Sequence, residues 1–199
     1  MKYSEKDSTL IIEGDFEAVS TGLNGGRARV RYLFNKQVPR TFNPPNPGKF
    51  IQNAALELGI EGPNFGLLTA VKMEYLQIIK DEYLTVFITA GVSNASSFRA
   101  EKVGTINIIL ISEKKLSETA LMGAIITATE AKGLLLLEKG YNFLGTNTDA
   151  IIVAYENEKD SEFRDCEEIP YAGSGTEFGK KITQAVIKGV RAGLDLRGE

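Results

Sequence analysis

Apolar runs of strand length fill the first half of this chain, and long helix-type apolar patterns appear only after residue 115. Ser8–Glu13, Phe16–Ser20 and Ala28–Asn35 carry β-branched and aromatic residues at alternating positions, and Asn24-Gly-Gly26 makes a tight turn between two of them. Asn43-Pro-Pro-Asn-Pro47 is a rigid loop that opens a helix from about Gly48 to Leu58, stopped by Gly59. Phe65–Val71, Met73–Lys80 and Tyr83–Thr89 read as three further strands, with Asp81-Glu82 as a hairpin turn, and Thr105–Ile111 as another. A helix capped by Ser117 and ended by Gly140 follows, then a buried strand Ala150–Tyr155, an acidic surface loop Glu156–Glu168, and a last helix of about Thr176 to Leu194. This order predicts a single α+β (mixed α/β) domain spanning 1–199, with a largely antiparallel or mixed sheet packed by two long C-terminal helices.

Four glycine- and threonine-rich turns end these runs: Thr89-Ala-Gly-Val-Ser-Asn-Ala95, Gly104-Thr-Ile-Asn107, Gly145-Thr-Asn-Thr-Asp149 and Gly173-Ser-Gly-Thr-Glu177. Small residues let backbone approach a ligand, while hydroxyls, amides and a carboxylate supply polar contacts there. The set predicts a shaped polar pocket.

Histidine is absent from the chain. Ser-His-Asp and Cys-His nucleophile systems, an imidazole base and histidine-bound zinc are thereby excluded. A net charge of −3 offers no field for nucleic acid or an anionic membrane. The longest apolar runs are broken by Lys, Glu or Gly, so no bilayer span is expected. The charged start, Met1-Lys-Tyr-Ser-Glu-Lys-Asp7, has no secretory apolar segment, and one cysteine permits no intrachain disulfide. These features predict a cytoplasmic protein. Cys166, flanked by Asp165, Glu167 and Glu168, reads as structural, because neighbouring carboxylates disfavour its thiolate. A homodimer is compatible with the sequence.

The remaining chemistry belongs to carboxylates, lysines, hydroxyls and amides. Glu130 lies within an otherwise small and apolar helix, on the face of Gly123, Thr127 and Leu134; Lys132 points the other way, so the two do not form a simple ion pair. Glu130 is either a solvated helix position or a catalytic carboxylate. Asp149 stands at the mouth of a buried strand, placed for a ligand or cation, or else bonded to its own turn. Gly173, Ser174, Gly175 and Thr176 open the last helix, where amides attract an anion or the hydroxyls simply cap the helix. Asn24, Asn94 and Asn107, each beside a glycine turn, suit the recognition of carboxamides. Asp149, Glu130 and Glu177 are conceivable ligands for Mg²⁺ or Ca²⁺, but no spacing is diagnostic, and no cofactor is predicted.

Seven segments, in chain order, resemble the adenosylcobinamide amidohydrolase family: Ser20-Thr-Gly-Leu-Asn-Gly-Gly26, Gly66-Leu-Leu-Thr-Ala70, the turns at 89–95 and 104–107, Ala128-Thr-Glu-Ala-Lys132, and the segments 145–149 and 172–177. The resemblance implies hydrolysis of the amide joining the aminopropanol arm to the corrin ring, within corrinoid salvage toward cobalamin. A corrinoid is rich in amide side chains, which suits a site of glycine turns, with Asn24, Gly25, Asn94, Thr105, Asn107, Thr146 and the 173–176 turn as contacts. On this reading Glu130 or Asp149 activates water, and backbone amides near 173–176 or 104–105 hold the oxyanion. Lys132 orients a carboxylate or protonates the amine; Thr146 or Thr148 as a covalent nucleophile is the alternative. A non-catalytic protein that binds a corrinoid or another small molecule is the competing class.

Overall fold

The computed structural model describes residues 1–92, 104–157 and 167–199. Asn94, Cys166 and most of the acidic loop lie outside the described residues.

Among the described residues eight strands form one sheet: β1 (Lys2–Lys6), β2 (Thr9–Ser20), β3 (Gly26–Gln37), β4 (Asn64–Thr69), β5 (Gln77–Asp81), β6 (Leu84–Gly91), β7 (Thr105–Ser112) and β8 (Ala150–Glu156). Three helices accompany them: α1 (Pro47–Glu57), α2 (Glu118–Glu138) and α3 (Glu177–Asp195). The strand order is β4-β3-β2-β8-β7-β6-β5, with β1 beside β2. The β3–β4 and β7–β8 pairs are parallel and the others antiparallel, so the sheet is mixed, as the run pattern predicts; it is also open.

Two expected strands, Ser8–Glu13 and Phe16–Ser20, are one continuous β2. Gly14 and Asp15 form a bulge between the pairings of Glu13 and Phe16, not a break. A side chain at Gly14 would meet the Phe16 ring at 2.5 Å. The expected strand Met73–Lys80 instead begins as a 3-10 turn over Met73–Tyr75, and β5 starts only at Gln77. Here the chain leaves β4 at one edge of the sheet and reaches β5 at the other, and the turn makes that crossing. The Gln37 side chain accepts from Met73 N at 3.1 Å and fixes it. β1 was not expected: all five of its residues are exposed, so it carries no alternating apolar pattern.

The crossing is short because the sheet curls. Asn35 of β3 donates to Thr89 of β6 at 2.9 Å, although three strands separate them in the sheet. Asn107 of β7 donates to Asn35 Oδ1 at 3.0 Å and to the Leu68 carbonyl at 2.8 Å. The concave side holds one core, including Ile12, Phe16, Leu33, Phe65, Phe87 and Ile109. The opposite side holds a larger core, where α2 and α3 cover β6, β7 and β8. α1 packs outside β3 through Ile51 and Ala55 on Phe34.

By length and composition α2 is apolar enough to cross a bilayer, contrary to the expectation from the interrupted runs. Here 56% of that stretch is buried, with Leu121, Ala124, Ala128 and Leu135 in the core beneath it, as in the central helix of a folded domain.

Candidate active site

β7 and β8 run parallel and start side by side, so the turns that precede them meet at one end of the sheet. Asp149, the last residue before β8, accepts through Oδ1 from Ile106 N at 2.8 Å and the Thr146 hydroxyl at 2.6 Å. Its Oδ2 accepts from Thr146 N at 3.0 Å and from the Lys132 ammonium. Four donors fill the usual acceptor sites of a carboxylate. Lys132 comes from the middle of α2, and both side chains are buried, at 6% and 11% exposure. The pair therefore ties the helix layer to the strand ends, and each charge is balanced where water is scarce. Gly145 makes the approach feasible: a Cβ there would lie 2.5 Å from both Asp149 Oδ2 and Lys132 Nζ.

Beside this pair, Thr148 Oγ1 lies 2.8 Å from Thr105 Oγ1 and donates to the Gly104 carbonyl at 2.9 Å. Thr105, Thr148 and Asp149 line a cavity of about 450 Å³, within the usual range for a small-molecule site. Its other walls are the β2–β3 turn at Thr21–Leu23, the β3–α1 loop from Val38 to Pro47, the end of β4 at Leu67, Leu68 and Ala70, and Asn147 with Ala150. The lining is mostly apolar, with Asp149 its one carboxylate and Arg40 its one cation among the described residues.

The other expected positions fall into three groups. Thr146 stands behind Asp149, bonded to it twice, and Asn107 lies buried deeper in β7, in the network with Asn35 and Leu68. Asn24 donates to the Gly48 carbonyl at 2.9 Å and braces the β2–β3 turn against α1; Gly25 lies in that turn, whose neighbouring residues reach the cavity. Glu130 is exposed on α2, and none of Gly173, Ser174, Gly175 and Thr176 lines the cavity. The Thr176 hydroxyl accepts from Gly179 N at 3.0 Å and donates to the Gly173 carbonyl at 2.9 Å, so this turn caps α3. Among the described residues no three acidic or cysteine side chains gather around a common point that a metal ion would occupy.

Val38, Pro39, Arg40 and Phe42 are wall residues that the sequence did not single out. Their only local signal is their place on a proline-stiffened loop, read there as the start of a helix.

Comparison with known proteins bears on the family. The family model described as adenosylcobinamide amidohydrolase matches residues 2–199. A Methanosarcina mazei protein named adenosylcobinamide amidohydrolase is 74% identical over 201 residues, covering 100% of both chains. A Halobacterium salinarum protein of the same name is 29% identical, over 90% of this chain and 80% of its own length. An uncharacterised Methanocaldococcus jannaschii protein is 28% identical, over 94% of this chain and 85% of its own. No solved structure matches. A match that runs through both halves of the sheet and every wall of the cavity leaves one assignment: the chain belongs to the adenosylcobinamide amidohydrolase family.

Proposed function

We propose that this protein hydrolyses the amide between the corrin ring and the aminopropanol arm of adenosylcobinamide, releasing adenosylcobyric acid and aminopropanol. Full-length similarity to a named enzyme of that activity carries the reading. The cavity supports it. A volume of about 450 Å³ is too small for a whole corrinoid but admits one of its arms, so the macrocycle rests at the mouth. Leu23 and Phe42 offer apolar contact, and Thr105, Thr148 and Asp149 lie together on one wall.

On this reading Asp149 is the base for water, because it is the carboxylate in the wall. One of its four donors, the Thr146 hydroxyl, is a rotor; when it swings aside, Oδ1 is open to the attacking water. The water oxygen adds to the amide carbon, the C–N bond breaks, and the proton taken by Asp149 passes to the leaving amine. Lys132 positions Asp149 and balances its charge. Thr148 and Thr105 hold the amide in place through hydroxyls already aligned with each other. Thr148, which belongs to the carboxylate turn and lines the cavity, is the alternative, covalent nucleophile.

Incubation of the purified protein with adenosylcobinamide, with and without EDTA, followed by mass spectrometry, tests the reading. Adenosylcobyric acid and free aminopropanol are expected, and the EDTA arm decides metal dependence. Unchanged substrate that stays bound would replace this reading with a corrinoid-binding role. Thr148→Ser against Thr148→Val then separates the two mechanisms. A nucleophile survives as Ser and is abolished as Val, whereas a positioning hydroxyl leaves measurable turnover in both.

A further inference from the structure

Arg40 stands on the loop between β3 and α1, where Pro39 restricts the backbone and Phe42 N donates to the Pro39 carbonyl at 2.9 Å. Arg40 lines the main cavity and also a narrow recess beside it, shared with Ala70, Thr105 and Arg197. The neighbouring cations have acidic partners: Lys132 is paired with Asp149, Arg197 with Glu199 at 2.7 Å and Lys72 with Glu74 at 3.0 Å. Arg40 has no carboxylate partner among the described residues. Because Asp149 is balanced by Lys132, the one uncompensated charge in the cavity wall among the described residues is the positive charge of Arg40.

The reaction changes charge in a way that this arrangement discriminates. The substrate amide is neutral. Water adds to its carbonyl carbon, negative charge forms on the oxygen, the C–N bond breaks, and a carboxylate and an alkylammonium result. A cation that meets a neutral group in the substrate and an anion afterwards favours the later states selectively. The geometry points to Arg40 as the group that receives this negative charge, first on the tetrahedral oxygen and then on the carboxylate of the corrinoid product. The inference rests on the amidohydrolase reading above. A guanidinium suits the task, since its planar fork matches a carboxylate through two parallel hydrogen bonds, which a lysine cannot reproduce.

The test compares wild-type protein with Arg40→Met and Arg40→Lys. Equilibrium dialysis measures binding of adenosylcobyric acid, and initial rates with adenosylcobinamide give kcat and KM. Arg40→Met is expected to weaken product binding at least about tenfold and to lower kcat by a similar factor, with KM within about threefold of wild type. Arg40→Lys should fall between the two. Because Arg40 is exposed, both variants are expected to fold, which circular dichroism verifies. Product binding unchanged in Arg40→Met, or product affinity and KM worsening together, would overturn the assignment. Absence of aminopropanol release from the wild type would instead remove the amidohydrolase reading, and dialysis with adenosylcobyric acid alone would still decide whether Arg40 binds the carboxylate.

Discussion

Gly145-Thr-Asn-Thr-Asp149 and Gly173-Ser-Gly-Thr-Glu177 are nearly the same turn on paper and opposite in the folded protein. Both join small residues to hydroxyls and end on a carboxylate. The second leads into a helix, whose first amides lack intrahelical acceptors, and the Thr176 hydroxyl is used up on that need. The first leads into a strand that pairs with β7, so its polar groups converge on Asp149, which takes one ladder amide and a lysine from the helix layer. The element that follows a turn decides whether its hydroxyls serve the backbone or stand over a cavity.

Asp149→Asn should give the widest separation between the two turns. It leaves Lys132 buried without a counter-charge, at a cost of about 3–5 kcal/mol in urea denaturation, and turnover should fall about a hundredfold or more. Adding Lys132→Met should recover most of the stability and none of the activity. Recovery of both would reduce the pair to scaffolding. Glycine substitutions divide the turns next. Gly145→Ala drives a methyl into the Lys132–Asp149 contact and should cost about 1–3 kcal/mol along with activity. Gly173→Ala and Gly175→Ala meet nothing within 4 Å and should stay within about 0.5 kcal/mol of wild type. Equal losses at Gly145 and Gly175 would erase the distinction.

Thr176→Ala should cost about 1 kcal/mol in denaturation, the usual loss for a helix cap, with kcat and KM unchanged. A drop in kcat would return this turn to the active site. The smallest effect lies far from both turns and serves as a control. The hydrogen bond from Arg29 lowers the Asp15 carboxyl below its ordinary value. A carboxyl lowered on folding contributes stability above its unfolded pKa, and that contribution disappears as pH falls through the folded one. Asp15→Asn should therefore be slightly less stable than wild type at neutral pH and match it in strong acid. A gap that stays constant with pH would show that the pair is not its source.

The sequence makes the large elements legible because their signals are local. Leu110 and its neighbours in β7, the Ser117 cap and the apolar stripe through Ile182, Val186 and Val190 each announce themselves within a few residues. β1 is hidden because it is polar on both sides, and the bulge at Gly14–Asp15 looks like a break because a glycine beside an aspartate normally is one. Asp149 is visible as a carboxylate at the start of a buried strand. Lys132 is picked out through the family resemblance as orienting a carboxylate, but its pairing with Asp149 is not legible: the two are 17 residues apart, and only the packing of α2 over the strand ends brings them together. Arg40 is hidden for the same reason, since the curl of the sheet carries its loop to Thr105. Glu130 attracts notice by the apolar residues around it in sequence, yet the helix turns it to solvent.

One edge of β2 serves two strands in succession. Its first half takes β1, which is made immediately before it; its second half takes β8, some 130 residues further along the chain. During synthesis, the N-terminal hairpin can form as soon as it emerges, while Phe16–Ser20 must keep a bare hydrogen-bonding edge until β8 has been translated. For most of its production time the nascent protein thus carries an exposed strand edge, a natural target for chaperones and the point where neighbouring unfinished chains would stick together.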